Sequence, residues 1–234
     1  MANDVRDGQG RGEGKQTQVR PCVDVERLVV GPLQNNVYLI HDGQGVTIVD
    51  PTAEPDRLLA AVGDRPLSGI VLTHHHSDHM GAACALRAAT GAPVIASAIE
   101  QPLIEQPKKV GTSPLPLPEA CPVDIAVSHG DVVKIGELAW KVLVTPGHSK
   151  GSMCLYIVPQ LSLAGQGAPT LVSGDTLFEG TIGRTDFEGG SMDDMRASLF
   201  TLAKLPDDTI VLPGHGNPTT IGAERERVFA RYAQ

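Results

Sequence analysis

Four imidazoles and one carboxylate fall within seven residues of this chain, Thr73-His74-His75-His76-Ser77-Asp78-His79. The cluster follows the apolar run Ile70-Val71-Leu72, which fits a buried strand. It precedes Met80–Arg87, an Ala-rich stretch suited to a helix. The side chains therefore sit on a strand-to-helix turn, where open α/β folds bind ligands. So many titratable groups on one turn are costly to bury unless something satisfies them. A metal ion does so, because neutral imidazole and carboxylate are ligands for Zn²⁺ and similar ions. The spacing H-x-H-x-D-H holds four candidate ligands: His74, His76, Asp78 and His79. A single tetrahedral site with an open position needs only three. The alternative, a solvated His-rich turn, has to be weighed against the rest of the chain.

Three further strands end in the same way. Leu143-Val144-Thr145 runs into Pro146-Gly147-His148, Leu171-Val172-Ser173 into Gly174-Asp175, and Val211-Leu212 into Pro213-Gly214-His215. In each, a glycine lets the backbone turn sharply off the strand end. The next side chain is then presented at the rim of a sheet. Four strand ends delivering His74, His76, Asp78, His79, His148, Asp175 and His215 are enough for two metal ions. A carboxylate can bridge such a pair, and Asp175 is the best placed. Asp50, ending the strand Val46–Val49 before Pro51, is either a partner for a ligand imidazole or a simple turn residue.

The remaining organisation is that of one α/β domain, residues 21–234, behind a polar arm, 1–20, too poor in apolar side chains to offset the entropy of ordering. Strands are expected near 23–30, 36–41, 46–49, 93–96, 132–135, 138–144, 153–158 and 209–212. Helices are expected over 55–62, 193–205 (capped by Ser191) and 221–232. Six prolines between 101 and 122 rule out a regular element through the middle of that span and predict a long surface loop, placed to act as a lid. A net charge of −8 argues against a nucleic-acid or anionic-membrane partner. No apolar run approaches the ~20 residues of a membrane span, and the first residues lack an apolar signal core, so a cytoplasmic location is expected. Cys22, Cys84, Cys121 and Cys154 show no paired spacing and fit free thiols, with Cys84 and Cys154 in the core.

With these residues in place, the chain resembles the metallo-β-lactamase superfamily over roughly residues 23–220. The resemblance implies an αββα sandwich. It implies one ion on His74, His76 and His148, a second on Asp78, His79 and His215, and Asp175 bridging them, with Asp78 and Asp175 serving catalysis. His41, His75 and His129 match no ligand position and are expected to be supporting or surface residues. The metals would be Zn²⁺, with Fe or Mn as alternatives.

Within the superfamily, enzymes that hydrolyse β-lactams usually carry Cys at the place of Asp175, flavodiiron proteins carry Glu at the place of His76, and the nucleic-acid branch usually adds a large insertion. The stretches Ser173–Phe178 and Gly183–Gly190 look most like the glyoxalase II (hydroxyacylglutathione hydrolase) group. In that group a basic residue at the place of Arg184 contacts the glutathione part of the substrate. Glyoxalase II continues past its last His ligand with a helical domain, whereas 19 residues of this chain follow His215. The expectation is therefore a compact glyoxalase II-like hydrolase that cleaves a small acyl thioester with a hydroxide shared by two ions. The stretch Gly183–Phe187 also resembles the persulfide dioxygenases, which bind one iron through residues matching His74, His148 and Asp175. Hydrolysis of another acyl substrate, such as a lactone, is the other alternative.

Overall fold

The computed structural model describes residues 5–7, 23–111, 115–158 and 167–233. A first sheet is formed by β1 (Val5–Asp7), β2 (Asp24–Val30), β3 (Asn35–His41), β4 (Val46–Val49), β5 (Leu67–Val71), β6 (Val94–Ser97) and β7 (Ile125–Val127), side by side in chain order. Of the predicted arm, Val5–Asp7 pairs in parallel with β2. The other arm residues lie outside those described, as does Cys22. The second half of the chain supplies β8 (Val132–Ile135), β9 (Leu138–Val144), β10 (Met153–Ile157) and β11 (Thr170–Gly174). A small hairpin follows, β12 (Leu177–Phe178) with β13 (Thr181–Ile182), then β14 (Ile210–Pro213) and β15 (Thr219–Thr220). The second sheet has the order β15-β14-β11-β10-β9-β8. The helices are α1 (Pro55–Val62), α2 (Ser77–Met80), α3 (Ala83–Thr90), α4 (Gln101–Glu105), α5 (Met192–Leu202) and α6 (Ala230–Tyr232).

The period of two along each strand decides the layering. On β3, Tyr38 and Ile40 face the core between the sheets, while Val37 and Leu39 face the core that includes α1 and α3. On β10, Met153 and Leu155 join the central core, while Cys154 and Tyr156 join a third core with Met195 and Leu199 of α5. Both sheets are thus apolar on both faces, and each needs a helical layer outside it. The result is the αββα sandwich. Trp140, fully buried, is the largest side chain of the central core. The phenol of Tyr38 ties the sheets together by donating to Pro213 O at 2.8 Å.

Several elements differ from expectation. The Pro-rich span 101–122 opens with α4, ahead of the middle that its prolines keep irregular; Pro102 lies in the first turn, where a missing N–H costs nothing. The helix expected from Met80 is two helices, α2 and α3, broken at Gly81. Ala82 N donates to Pro51 O at 2.9 Å instead of back along the helix, and the packing there is so close that a Cβ on Gly81 would run into the Thr52 carbonyl. The terminal helix begins later than predicted, as a π-helical turn at Arg225–Phe229 leading into α6. Residues 221–224 are spent instead on seating buried Glu224, which accepts from Gly180 N and Thr219 Oγ1. β7, β12, β13 and β15 span only two or three residues each and had no pattern long enough to read. Cys154 is buried and Cys84 packs against the core beneath α3. Cys84, Cys121 and Cys154 are free thiols.

Candidate metal centre

The four strand-end turns meet at one edge of the sandwich. Five of the seven donors, His74, His76, His79, His148 and Asp175, are buried, His74 and His79 wholly so. Three overlapping groups have ligand atoms close enough to share an ion: His74, His76 and His148; His74, His79 and Asp175; and Asp78, His79 and His215. Asp175 stands between them. Its Oδ2 lies 3.5 Å from His148 Nε2 and 3.7 Å from His215 Nε2, and its Oδ1 lies 3.4 Å from His79 Nε2. Asp78 Oδ2 is 3.3 Å from His215 Nε2. The glycines before these donors serve two different needs. Gly174 takes a left-handed φ of 49°, as the turn requires. At Gly214 the need is space, since a Cβ there would lie 2.5 Å from Asp175 Oδ1.

Hydrogen bonds outside the cluster fix which imidazole nitrogen faces inward. Asp50 is buried and accepts from Thr73 N at 2.8 Å, from Thr73 Oγ1 at 2.7 Å and from His79 Nδ1 at 2.9 Å. The Thr73 hydroxyl has thereby committed its proton, so its 3.0 Å contact with His74 Nδ1 must be one it accepts. His148 Nδ1 donates to Arg184 O at 2.8 Å. His74, His79 and His148 each therefore donate from Nδ1, which leaves Nε2 as the nitrogen that faces the cluster. Asp50 takes the first of its two expected roles, as a partner of ligand-position imidazoles.

The electrostatics are those of a site made for cations. Burial, then the neighbouring imidazoles, push His74 well below the usual histidine value, and burial with His148 beside it lowers His76 to about 3. Burial also lowers His148. His79 goes the other way: burial opposes its charge, but Asp175, Asp78 and Asp50 raise it well above the ordinary value. Asp175 is lowered to about 2, since His79 and the other rings outweigh the cost of burial. Three carboxylates around one ring, all stabilising a proton there, would equally stabilise a metal cation. His74 Nε2 and Asp175 Oδ1 are buried without a hydrogen-bond partner. Such orphaned acceptors are expensive unless a cation takes them up. The donor set, all N and O, fits Zn, Fe or Mn.

Two participants had no sequence signal of their own. Asn35, at the start of β3, donates from Nδ2 to Asp78 Oδ2 at 3.0 Å and lies 3.2 Å from His215 Nε2. Glu100 is a fully buried carboxylate that binds His75 through its backbone N–H and ring Nδ1. His75 is thus a buried supporting residue. His41 lies by Glu26 and Arg65, and His129 is exposed near Val144 O.

A cavity of about 520 Å³ opens beside the cluster, with Asp78, His148, Asp175 and His215 on one side. Leu33, Val110, Phe178, Ile182 and Phe187 make its other walls apolar. Arg184 also lines it. Its guanidinium stacks 4.2 Å from the Phe187 ring and binds Asp186 through two bonds of 2.9 and 2.8 Å. Val110 is the contribution of the 101–122 segment. Among the described residues no helix is long and apolar enough to cross a membrane.

An αββα sandwich with a multi-donor His/Asp centre at its edge defines a class of metal-dependent enzymes. The chain belongs to the metallo-β-lactamase superfamily, whose family model matches residues 30–215, and is a metal-dependent hydrolase of that superfamily. It is 33% identical to the hydroxyacylglutathione hydrolase GloC of Haemophilus influenzae, over 87% of this chain and 95% of that one. Three solved structures are similar. BLEG-1, described as a B3 metallo-β-lactamase, superposes with a TM-score of 0.77 at 33% identity, covering 88% of this chain and 98% of its own. TTHA1623, in a di-iron-bound form, gives 0.72 at 33% identity, covering 86% and 97%. ETHE1 from Myxococcus xanthus gives 0.70 at 30% identity, covering 89% and 84%.

Proposed function

We propose that this hydrolase cleaves a small acyl thioester, as a member of the glyoxalase II-like group, using two divalent ions. The observation that carries the reading is Asp175, a single carboxylate within 3.7 Å of rings from both donor sets, beside an open cavity. On this reading His74, His76 and His148 would hold one ion and Asp78, His79 and His215 the other, with Asp175 shared between the two sets. Bound divalent ions would supply Lewis acidity and lower the pKa of a coordinated water to about 7. Zn²⁺ is the proposed metal, and the di-iron neighbour shows that iron is the alternative to test first.

The chain's own residues do the rest. Asp50, Thr73 and Arg184 O hold three imidazoles in the ligating tautomer. Asn35 orients Asp78, which stays ionised because His79 and His215 outweigh its burial. Leu33, Phe178 and Phe187 exclude water around the acyl part. Arg184 is the proposed contact for an acidic thiol carrier, whose carboxylate would take the place of Asp186. The likeness to GloC supports thioester hydrolysis. The proposal extends to a cytoplasmic protein acting on a small molecule, with neither nucleic acid nor membrane as partner.

One observation favours a second reading, a mononuclear-iron persulfide dioxygenase. The likeness to ETHE1 extends over most of both chains, and His148 and Asp175 stand 3.5 Å apart. Elemental analysis of the purified chain, with a thioester panel run under an oxygen electrode, separates the two. Two ions and hydrolysis without O₂ uptake are expected. One iron with O₂ consumed on a persulfide would replace the thioester reading. A lactone and a β-lactam belong in the same panel, the latter because of BLEG-1.

A further inference from the structure

Glu100 is 0% exposed and lies between β6 and α4, outside the donor cluster. Its two oxygens serve two different loops. Oε2 accepts from His75 N at 2.9 Å and from His75 Nδ1. Oε1 accepts from Gly151 N at 2.7 Å and from Ser149 Oγ at 2.9 Å. His75 is flanked by His74 and His76, and Ser149 directly follows His148. Ser97 Oγ adds a bond to Gly151 O at 2.7 Å. Gly151 allows this approach, since a Cβ there would stand 2.8 Å from Glu100 Oε1.

We propose that Glu100 is the positioning residue for one of the two metal sites: a buried clamp that holds the His74–His76 turn against the His148 loop. The inference rests on the two-site assignment above and deepens it. The other set has its own support, because Asn35 Nδ2 reaches Asp78, His79 and His215. The sites are therefore held by different side chains and can be weakened separately. All four partners of Glu100 are donors, so only a carboxylate accepts from both loops at once. A glutamine has one acceptor oxygen. Its NH₂ would face a fixed backbone N–H on the other loop, that of Gly151 or of His75, and that loop would move away.

The test uses the whole chain stripped of metal. Zn²⁺ is titrated against a chromophoric chelator, Co²⁺ spectra are recorded at one equivalent, and the melting temperature of the metal-free protein is measured. Glu100→Gln should weaken one ion 10–100-fold, the usual effect of removing a ligand's outer partner, and leave the other as in wild type. Its Co²⁺ spectrum should match that of His148→Ala and differ from that of His215→Ala. Ser149→Ala removes one of the four bonds. It should weaken the same ion less, and it decides the question if Glu100→Gln does not fold. The clamp is overturned if both ions weaken equally, if the His215 ion is the one lost, or if Ser149→Ala leaves both affinities unchanged. A wild type that takes up one ion only would sink the two-ion reading, and Glu100→Gln would then be judged on that ion. A wild type that binds none would sink both.

Discussion

Asp50→Asn tests the tautomer relay that aims the imidazoles inward. The amide cannot put its NH₂ at the Oδ1 position, where the fixed Thr73 N–H already points at 2.8 Å. The NH₂ therefore takes the Oδ2 position and donates to His79 Nδ1 and to Thr73 Oγ1. The hydroxyl can then turn and donate to His74 Nδ1. Both rings respond by moving their proton to Nε2, the nitrogen that faces the cluster. Restoring the ligating tautomer would leave one buried donor facing another at each ring, at ~1–3 kcal/mol. At ~1.4 kcal/mol per factor of ten, each ion should bind roughly 10–100-fold more weakly. Metal-free stability should fall by less than in Asp50→Ala, because every donor keeps an acceptor and Asn tolerates the φ of 51° at this position. Asp50→Ala is the contrast. It leaves a buried N–H and an imidazole unsatisfied, at ~1–3 kcal/mol each, and forces alanine into a left-handed backbone. Chelator competition with Zn²⁺ and urea unfolding of the metal-free protein read the two quantities. Wild-type metal affinity in Asp50→Asn, or a loss of stability equal to that of Asp50→Ala, would refute the relay.

Asp175→Ala should strip both ions and most of the activity, since Asp175 is the one donor assigned to both sets; a variant that kept two ions and a near-normal kcat would remove its bridging role. Arg184→Ala should raise KM for an acidic thioester with little change in kcat, and leave a neutral thioester almost unaffected. An equal penalty on both substrates, or only a lower Tm, would show that Arg184 serves just to brace the loop through Asp186. The metal-free protein should lose stability as pH falls from about 6.5 towards 3. Burial and neighbouring rings keep His76 at about 3, and His74 and His148 below their usual range, so the unfolded chain binds more protons in that window. His79, raised by its three carboxylates, acts in the opposite sense, its contribution declining as pH rises above about 6.5. Urea titrations at pH 7 and pH 4 give the sign, and greater stability at pH 4 would contradict it.

The seven donors were legible because their signal is local. An apolar run followed within a few residues by His or Asp places a side chain at a sheet edge, whatever the rest of the chain does. The Ser191 cap was equally local, and its hydroxyl accepts from Asp194 N as expected. The αββα order came from the resemblance, and the alternation along β3 and β10 explains it. Helix ends were less legible because tertiary contacts move them: the bond from Ala82 N to Pro51 O interrupts the helix after the cluster, and Glu224 delays the last one.

The sequence by itself determined which chemistry can collect at the edge of this sandwich, since ligand type and strand-end position are properties of short segments. Only the tertiary structure decided which nitrogen of each imidazole faces inward, and which side chains hold the ligand loops. Asn35 lies 180 residues from His215, and Glu100 lies 49 from Ser149 and 25 from His75. An asparagine before a strand or a glutamate before a short helix looks like any solvated polar residue until folding buries it. Burial is what turns it into an obligatory partner, because a carboxylate removed from water must find donors. Here the donors it found belong to the loops that carry His74, His76 and His148.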